Sequence, residues 1–437
     1  MSNQFNTEQL KAIKHKDGPM LVIAGPGSGK TTVAIHRIYN LISCCGVHPE
    51  NILAISFTNA AADEMRDRFL RLSKGRGSEV TFGTFHSVFY MLLRRYLKGS
   101  ELELISHGES LNLLKQTVQN LYPDLMASND YLELMLTEIS RYKNGMSNVS
   151  RRVKELIPVY DKAMHGRGRI DFDDMLVIIY KLLKNDKNIL NEIRDAYRYI
   201  MVDEFQDINR IQFAIVRLMS DPRSNLFAVG DDDQSIYGFR GSDPGIMLSF
   251  GKYYRHTHMV SLTVNYRSQG DIAGASFRLI GCNKNRYKKE LKSARPAEGG
   301  IDLREFDDKE EEAECLRSML EQLPEGKSAA VLYRTHRAGS RAVYEIAAAG
   351  LDKRKNISMM TFHGSKGLEF DEVFIIEANE GITPMGNPEA DSDALEEERR
   401  MFYVAVTRSK NLLHIFYTKP NYNNKNKRSR FIKELGL

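Results

Sequence analysis

Four cysteines in 437 residues are too few, and too irregularly spaced, for a disulfide framework. Cys44, Cys45, Cys282 and Cys315 show no metal-ligand spacing either, so they read as reduced thiols in a cytoplasmic protein. Long apolar runs are missing, and Met1-Ser2-Asn3-Gln4-Phe5-Asn6 lacks the charged-then-apolar pattern of a secretory leader, so no membrane partner is expected. No nuclease motif is present. A large excess of either charge is also missing: 62 Lys and Arg against 57 Asp and Glu leave a net charge of +5. That small surplus leans toward an anionic partner and gathers at Arg94-Arg95 with Lys98, at Lys284 through Lys292, and at Lys425 to Arg430. A basic run is more often a solvated face than a binding site, so motifs must decide. With 42% hydrophobic and 27% charged residues the chain is otherwise of ordinary globular composition. Its length suits roughly two to four domains.

The organising stretch is Ala24-Gly25-Pro26-Gly27-Ser28-Gly29-Lys30-Thr31-Thr32. It follows the apolar run Met20-Leu21-Val22-Ile23 and precedes Val33 to Leu41, whose apolar spacing predicts a helix. A strand that ends in a Gly-rich loop and enters a helix is built to hold phosphate, because backbone N–H groups and the helix N-terminus face the anion. Lys30 would reach the outer phosphates and the Thr31 hydroxyl would ligate Mg²⁺. The strict pattern has Gly where this chain has Ala24; the dense glycines and the Lys-Thr pair outweigh that. The nucleotide set therefore comprises Gly25, Gly27, Ser28, Gly29, Lys30, Thr31 and Thr32, with Arg37 on the following helix.

Thr7 is placed to cap an N-terminal helix, and Gln9 on it carries an amide suited to the edges of adenine. Buried strands are expected at Ile52–Phe57 and at Val80–Gly83, running into Thr58-Asn59 and Thr84-Phe85-His86-Ser87. From Val88 to about His165 the pattern is helical without strand-like runs, as for a helical insertion in an α/β domain. Asp171-Phe172-Asp173-Asp174-Met175 reads as the cap of the helix that returns to the sheet. The strand Tyr199–Val202 ends at Asp203-Glu204, an acid pair at a strand tip. Asp203 would hold Mg²⁺ opposite Thr31, and Glu204 would take a proton from the water attacking the γ-phosphate. Leu226–Gly230 leads to Gln234 and to Tyr237, Phe239 and Arg240, aromatic rings beside a cation of the kind on which single-stranded nucleic acid stacks. Leu262–Ser268 closes this body. A second α/β body follows, with strands expected at Ala330–Tyr333, Ile357–Met360 and Val373–Ile376 and a helix over Glu397–Arg408. Gly381 to Asp393 reads as a mobile loop.

The ordered blocks FNTEQL, AGPGSGKTT, ISFTNAAADEM, TFHS, VDEFQD, VGDDDQSIYGFRG, VNYRS, VLYRT, TFHGSKGLEFDEV and EERRMFYVAVTRSK, with SRFIKEL near the end, resemble the UvrD/Rep/PcrA-like superfamily 1 DNA helicases along nearly the whole chain. The resemblance implies an α/β fold of two RecA-like P-loop parallel-sheet domains with ATP in the cleft between them. It implies a discontinuous first domain (1A; 1–87 and 166–263), a helical insertion (1B; 88–165) and a second domain (2A; 264–437). Gln9 would read adenine, Tyr266 would stack on it and Glu369 would bind the ribose. Gln234 would sense the γ-phosphate, and Arg267 and Arg408 would stabilise its charge. Phe57, Thr58, Asn59, Thr84, His86, Tyr237, Phe239, Arg240, Thr361 and His363 would line a track for one DNA strand.

The family usually has Trp where this chain, which has none, carries Phe239. Larger relatives also insert a helical subdomain, 2B, between VLYRT and TFHGSKG; Arg337 to Ile357 leave room for little more than a helix and a turn. The expectation is a minimal ATP- and Mg²⁺-dependent helicase or translocase moving 3′-to-5′ on single-stranded, forked or overhang DNA in repair, replication or recombination. The alternative is a helicase-like ATPase subunit that regulates a partner nuclease, as in antiphage defence. A generic P-loop ATPase for assembly or transport fits the aromatic–Arg cluster and the paired arginines poorly.

Overall fold

The computed structural model describes residues 5–97, 103–146, 148–386, 388–389, 392–420 and 427–437. Lys98, Lys425 and parts of the 381–393 loop lie outside the described residues. The chain forms two compact units. One comprises the chain up to Ile23, Lys30–Gly230 and Tyr237–Val260; the other comprises Ala24–Gly29, Asp231–Ile236 and Ser261–Leu437.

The first unit is built on a sheet of order Thr81–Thr84, Ile52–Ser56, Tyr199–Val202, Leu226–Gly230, Met20–Ala24, His258–Leu262. Its inner pairings are parallel, with Ile55 opposite Val202 and Met201 opposite Phe227. Met20–Ala24, Ile52–Ser56, Tyr199–Val202 and Leu226–Gly230 are buried at every position. Continuous apolar runs are what a strand covered on both faces requires. The helix after the phosphate loop spans Lys30–Ser43 and buries Val33, Ala34, Ile38 and Leu41, the spacing of one helical face. The N-terminal helix is capped by Asn6 rather than Thr7: Asn6 Oδ1 accepts from Gln9 N–H at 2.8 Å, and Gln9 Oε1 accepts from Asn6 N–H at 3.1 Å. A capping box needs the amide three residues after the cap, which is where Gln9 stands relative to Asn6.

The expected insertion is helical, with His107–Leu121, Asn129–Lys143 and Arg151–His165 packed on their own core of Leu114, Val118, Leu132, Ile139, Leu156 and Tyr160. It also contains what its pattern did not show, a two-residue strand Glu103–Leu104 pairing in parallel with Arg169–Ile170. Lys143, nearly buried, sits 2.7–2.8 Å from carboxylate oxygens of Asp161, Asp171 and Asp174. One ammonium thus joins the ends of two insertion helices to the returning helix Phe172–Asn185, whose cap is Asp171 as expected.

The second unit has a five-stranded parallel sheet of order Ile301–Phe306, Ser409–Thr418, Phe370–Ile375, Ala329–Tyr333, Ile357–Thr361. Between Ala329–Tyr333 and Ile357–Thr361 the chain makes one helix, His336–Ala348, and a short turn at Leu351–Lys353. All four cysteines are free thiols. No helix among the described residues is long and apolar enough to cross a membrane.

Removing a charge from a buried ionic cluster leaves its partners uncompensated, typically at about 3–5 kcal/mol. Lys143→Met should therefore lower the unfolding free energy by roughly that amount, measured by chemical denaturation. An unchanged midpoint would mean the three carboxylates find other partners.

Candidate functional site

The loop Gly25–Gly29 and the first turn of its helix are described in different units. In the second unit, Gly25 N–H donates to Leu262 O at 2.9 Å and Tyr266 N–H donates to Gly27 O at 3.0 Å. Gly27 has φ 64°, and a Cβ there would sit 2.6 Å from Arg267 Cβ and 2.7 Å from Asn265 Oδ1. Glycine is required both by the left-handed backbone and by the close approach. Ser28, buried, donates its hydroxyl to Gly25 O at 2.7 Å and ties the loop into a ring.

In the first unit Lys30 and Thr31 open the helix, and Asp203 and Glu204 leave the strand Tyr199–Val202. Asp203 is buried and its Oδ1 accepts from Glu204 N–H at 2.9 Å. Burial first, then the neighbouring Glu204, push its carboxyl up to about 7, while Lys30 pulls in the opposite direction. Glu204 adopts φ 50°, a left-handed conformation that costs a non-glycine residue about 1–3 kcal/mol. Its Oε2 accepts from the Gln206 amide at 2.5 Å. A hydroxyl and a buried carboxylate are hard oxygen donors of the kind Mg²⁺ takes, and a divalent cation would neutralise the acid pair. The residues present fit the ion.

Two members of the expected nucleotide set have other partners. The Thr32 hydroxyl accepts from Arg68 Nη2 at 2.9 Å, a neighbour from helix Asn59–Ser73 that the motif reading missed although it lies just past the ISFTNAAADEM block. Arg37 is a correction. Its guanidinium is buried inside the first unit, 4.5 Å above the Phe227 ring and bonded to Lys16 O, and burial brings it down to about 10. A side chain enclosed in the core cannot contact a nucleotide; it packs the helix onto the sheet.

The second unit brings several of the remaining residues together. Arg267 Nε lies 2.8 Å from Glu369 Oε2, and Lys410 lies 2.7 Å from Glu369 Oε1. Burial raises the Glu369 pKa, but Lys410 and Arg267 more than offset it and hold the carboxyl below its ordinary value. Arg408 is buried, and its Nη2 reaches Gln234 Oε1 at 3.4 Å. Tyr266 is half-exposed. Thr361 Oγ1 accepts from Gly364 N–H at 3.3 Å, with His363 in the same turn.

Eight expected DNA contacts cluster in the first unit. Phe57 and Tyr237 stack with ring centroids 5.2 Å apart and planes 13° apart; Phe239 lies 6.1 Å from Tyr237. Arg240 sits 5.2 Å from the Tyr237 ring and 5.4 Å from the Phe239 ring. Phe57, Thr58, Asn59, Thr84 and His86 line a cavity of about 370 Å³ with Tyr90 and Phe172. A second cavity of about 550 Å³ runs from Phe57 and His86 to Arg240 and includes Asn144, Asp173 and Asn209. In the sequence Phe172 and Asp173 show only as part of a cap. Asp171 does the capping, whereas Asp173 turns to the cavity, accepts from Asn144 Nδ2 at 2.7 Å and is pushed up to about 6 by burial and then by Asp171.

The comparisons with known proteins bear on the family. A family model for the UvrD/REP helicase N-terminal domain matches residues 5–255, and one for the UvrD-like helicase C-terminal domain matches 260–352 and 343–420. The chain is 36% identical to the putative ATP-dependent DNA helicase YjcD of Bacillus subtilis, over 78% of this chain and 47% of that protein. It is 32% identical to the ATP-dependent DNA helicase PcrA of Leuconostoc citreum, over 96% of this chain and 58% of that protein. For PcrA of Staphylococcus aureus the identity is 34%, over 78% of this chain and 49% of that protein. The chain thus spans about half the length of the curated relatives it matches.

A carboxyl whose pKa is 3.8 unfolded and about 7 folded binds its proton more tightly in the folded state. Stability then falls as pH rises from about 4 to about 7. Asp203→Asn should flatten that decline and make the nucleotide-free protein more heat-stable at pH 8, read by thermal unfolding across pH. Parallel stability curves for parent and variant would refute the assignment.

Proposed function

The chain belongs to the UvrD-like helicase family, and on that premise we propose that it hydrolyses ATP to move along single-stranded DNA, in the 3′-to-5′ direction. The observation that carries this reading is the Phe57–Tyr237–Phe239 cluster with Arg240, in the same unit as Lys30, Thr31, Asp203 and Glu204. Rings and a cation at the strand ends suit stacked bases and phosphates. In this reading Lys30 binds the outer phosphates, Glu204 accepts the proton of the attacking water, and Arg267 and Arg408 stabilise the charge that develops on the γ-phosphate. Thr31 and Asp203 would hold Mg²⁺, which neutralises phosphate charge when bound. Gln9 and Tyr266 would hold adenine, and Glu369 the ribose once released from Arg267. Residues 1–87 and 166–263 act as domain 1A, 88–165 as 1B and 264–437 as 2A.

The short connection from Tyr333 to Ile357 favours a second reading. Without a 2B module the motor translocates but unwinds poorly alone, and its nucleotide state controls a partner such as a nuclease. The pathway follows from which reading holds: repair, replication or recombination for an autonomous helicase, antiphage defence for a regulatory subunit.

Steady-state ATP hydrolysis with and without single-stranded DNA tests the proposal, with Lys30→Ala as blank. Strong stimulation lost in the blank is expected. Glu204→Gln should retain ATP binding and lose turnover by about two to four orders of magnitude; continued hydrolysis would remove Glu204 from its role. Copurification of a nuclease with the native protein would support the second reading.

Phe239→Ala should weaken single-strand affinity by about 1–3 kcal/mol, measured by fluorescence anisotropy of a labelled oligonucleotide. Unchanged affinity would place the bases elsewhere.

A further inference from the structure

The run Lys284 to Lys292 has the charge of a surface for anions, but two of its members point inward. The Lys289 side chain is fully buried, and its Nζ lies 2.7 Å from one oxygen each of Asp231, Asp232 and Asp233. Arg286 grips Asp233 through Nε and Nη2 at 2.7 and 2.6 Å, and Tyr287 N–H donates to Asp232 Oδ2 at 2.7 Å. The three carboxylates bring ligand atoms within 4.8 Å of one another, a spacing that suits a metal ion, and the ammonium takes that place. Burial lowers the Lys289 pKa, but the carboxylates raise it further, so the ammonium stays charged.

The consequence lies at Asp231. Its Oδ1 binds Lys289 at 2.7 Å, and its Oδ2 accepts from Gln234 Nε2 at 2.8 Å. The Gln234 amide therefore presents its NH₂ to Asp231 and its Oε1 to Arg408. Reversing the amide would set donor against guanidinium and acceptor against carboxylate. Arg408 is itself held, by Nε to Val404 O at 2.9 Å and Nη1 to Leu368 O at 3.0 Å, and Lys366 Nζ donates to Gln234 O at 2.7 Å. All these residues lie in the second unit.

We infer that Lys289, acting through Asp231, is a positioning residue that fixes the orientation of the Gln234 amide and so prepares Gln234 and Arg408 to meet the nucleotide. The inference rests on the charge-stabilising role proposed above for Arg408 and on the γ-phosphate-sensing role that the family resemblance implies for Gln234. Lys289 supplies a permanent internal charge where a bound ion would come and go, so the loop Asp231–Ile236 keeps one geometry through the ATP cycle.

Asp231→Asn tests it at constant volume, since an amide facing Gln234 favours the reversed orientation that Arg408 opposes. With DNA present, kcat should fall about ten- to hundredfold, the range of one lost charge-assisted hydrogen bond. Affinity for a fluorescent ATP analogue should stay near that of the parent. In a Gln234→Ala background the same substitution should change kcat no further. An unchanged kcat, or an equal fall in both backgrounds, would overturn the inference while leaving the ATPase reading intact. Thermal unfolding gives a readout independent of turnover. Lys289→Met should unfold at a lower temperature, and Lys289→Met combined with Asp231→Asn should recover part of the loss. A double variant no better than the single one would show that Lys289 does not act on Asp231. A parent protein that binds no ATP would overturn both readings.

Discussion

Parallel hydrogen-bonding in the first sheet sets Ile23 opposite Gly230, Val202 opposite both Ile55 and Ala228, and Ser56 opposite Thr84. Five strands therefore finish along one edge, and the segments that leave them begin there: the phosphate loop, Asp203-Glu204, Phe57–Asn59, Phe85-His86 and Asp231–Gln234. No side chain chooses this convergence. It follows from parallel pairing, which makes every carboxyl end face the same way. A residue then needs only to lie just past a strand to start from that edge, which is why segments hundreds of residues apart in sequence leave the sheet side by side.

The same pairing governs how much could be read from the sequence. Strands covered on both faces must be apolar throughout, and Met20–Ala24, Tyr199–Val202, Leu226–Gly230 and Ala329–Tyr333 were all visible for that reason, to within a residue. Ile301–Phe306 was not. As the outer strand of its sheet it reads Ile-Asp-Leu-Arg-Glu-Phe and is only partly buried, so it carries no continuous apolar signal. Ser409–Thr418 was missed for another reason: only the short polar stretch Thr407–Asn411, with no glycine or proline, separates its apolar part from the helix Asp393–Val406.

At the candidate site, legibility depended on whether a residue's chemistry is local. Glycines with positive φ, the Lys-Thr pair and the strand-tip acids announce themselves by spacing. Partners fixed by packing do not. Arg37 is charged and near the loop in sequence, yet it lies on the helix face that packs on Phe227 and so is spent on the core. Asp173 stands two residues from the capping Asp171 and differs only in facing a cavity. Sequence proximity decided neither case; the helical face did.

The acids that leave neighbouring strands show how burial sorts structural charge from reactive charge. Asp231, Asp232 and Asp233 follow Gly230 and are held within the protein by Lys289 and Arg286, with Asp231 paired directly to the Lys289 ammonium. Asp203 follows Val202, equally buried, beside the acidic Glu204 and with Lys30 as the countering charge, and its carboxyl is pushed up to about 7. Two buried acid groups on adjoining strands thus differ in what they lack. A carboxylate already neutralised by the protein can only orient its neighbours, which is what Asp231 does to Gln234. A carboxylate left short of positive charge favours any cation that arrives with the substrate, because binding then removes a penalty that folding left in place. The first arrangement gives a fixed reference geometry, and the second leaves a charge imbalance that a bound cation would neutralise.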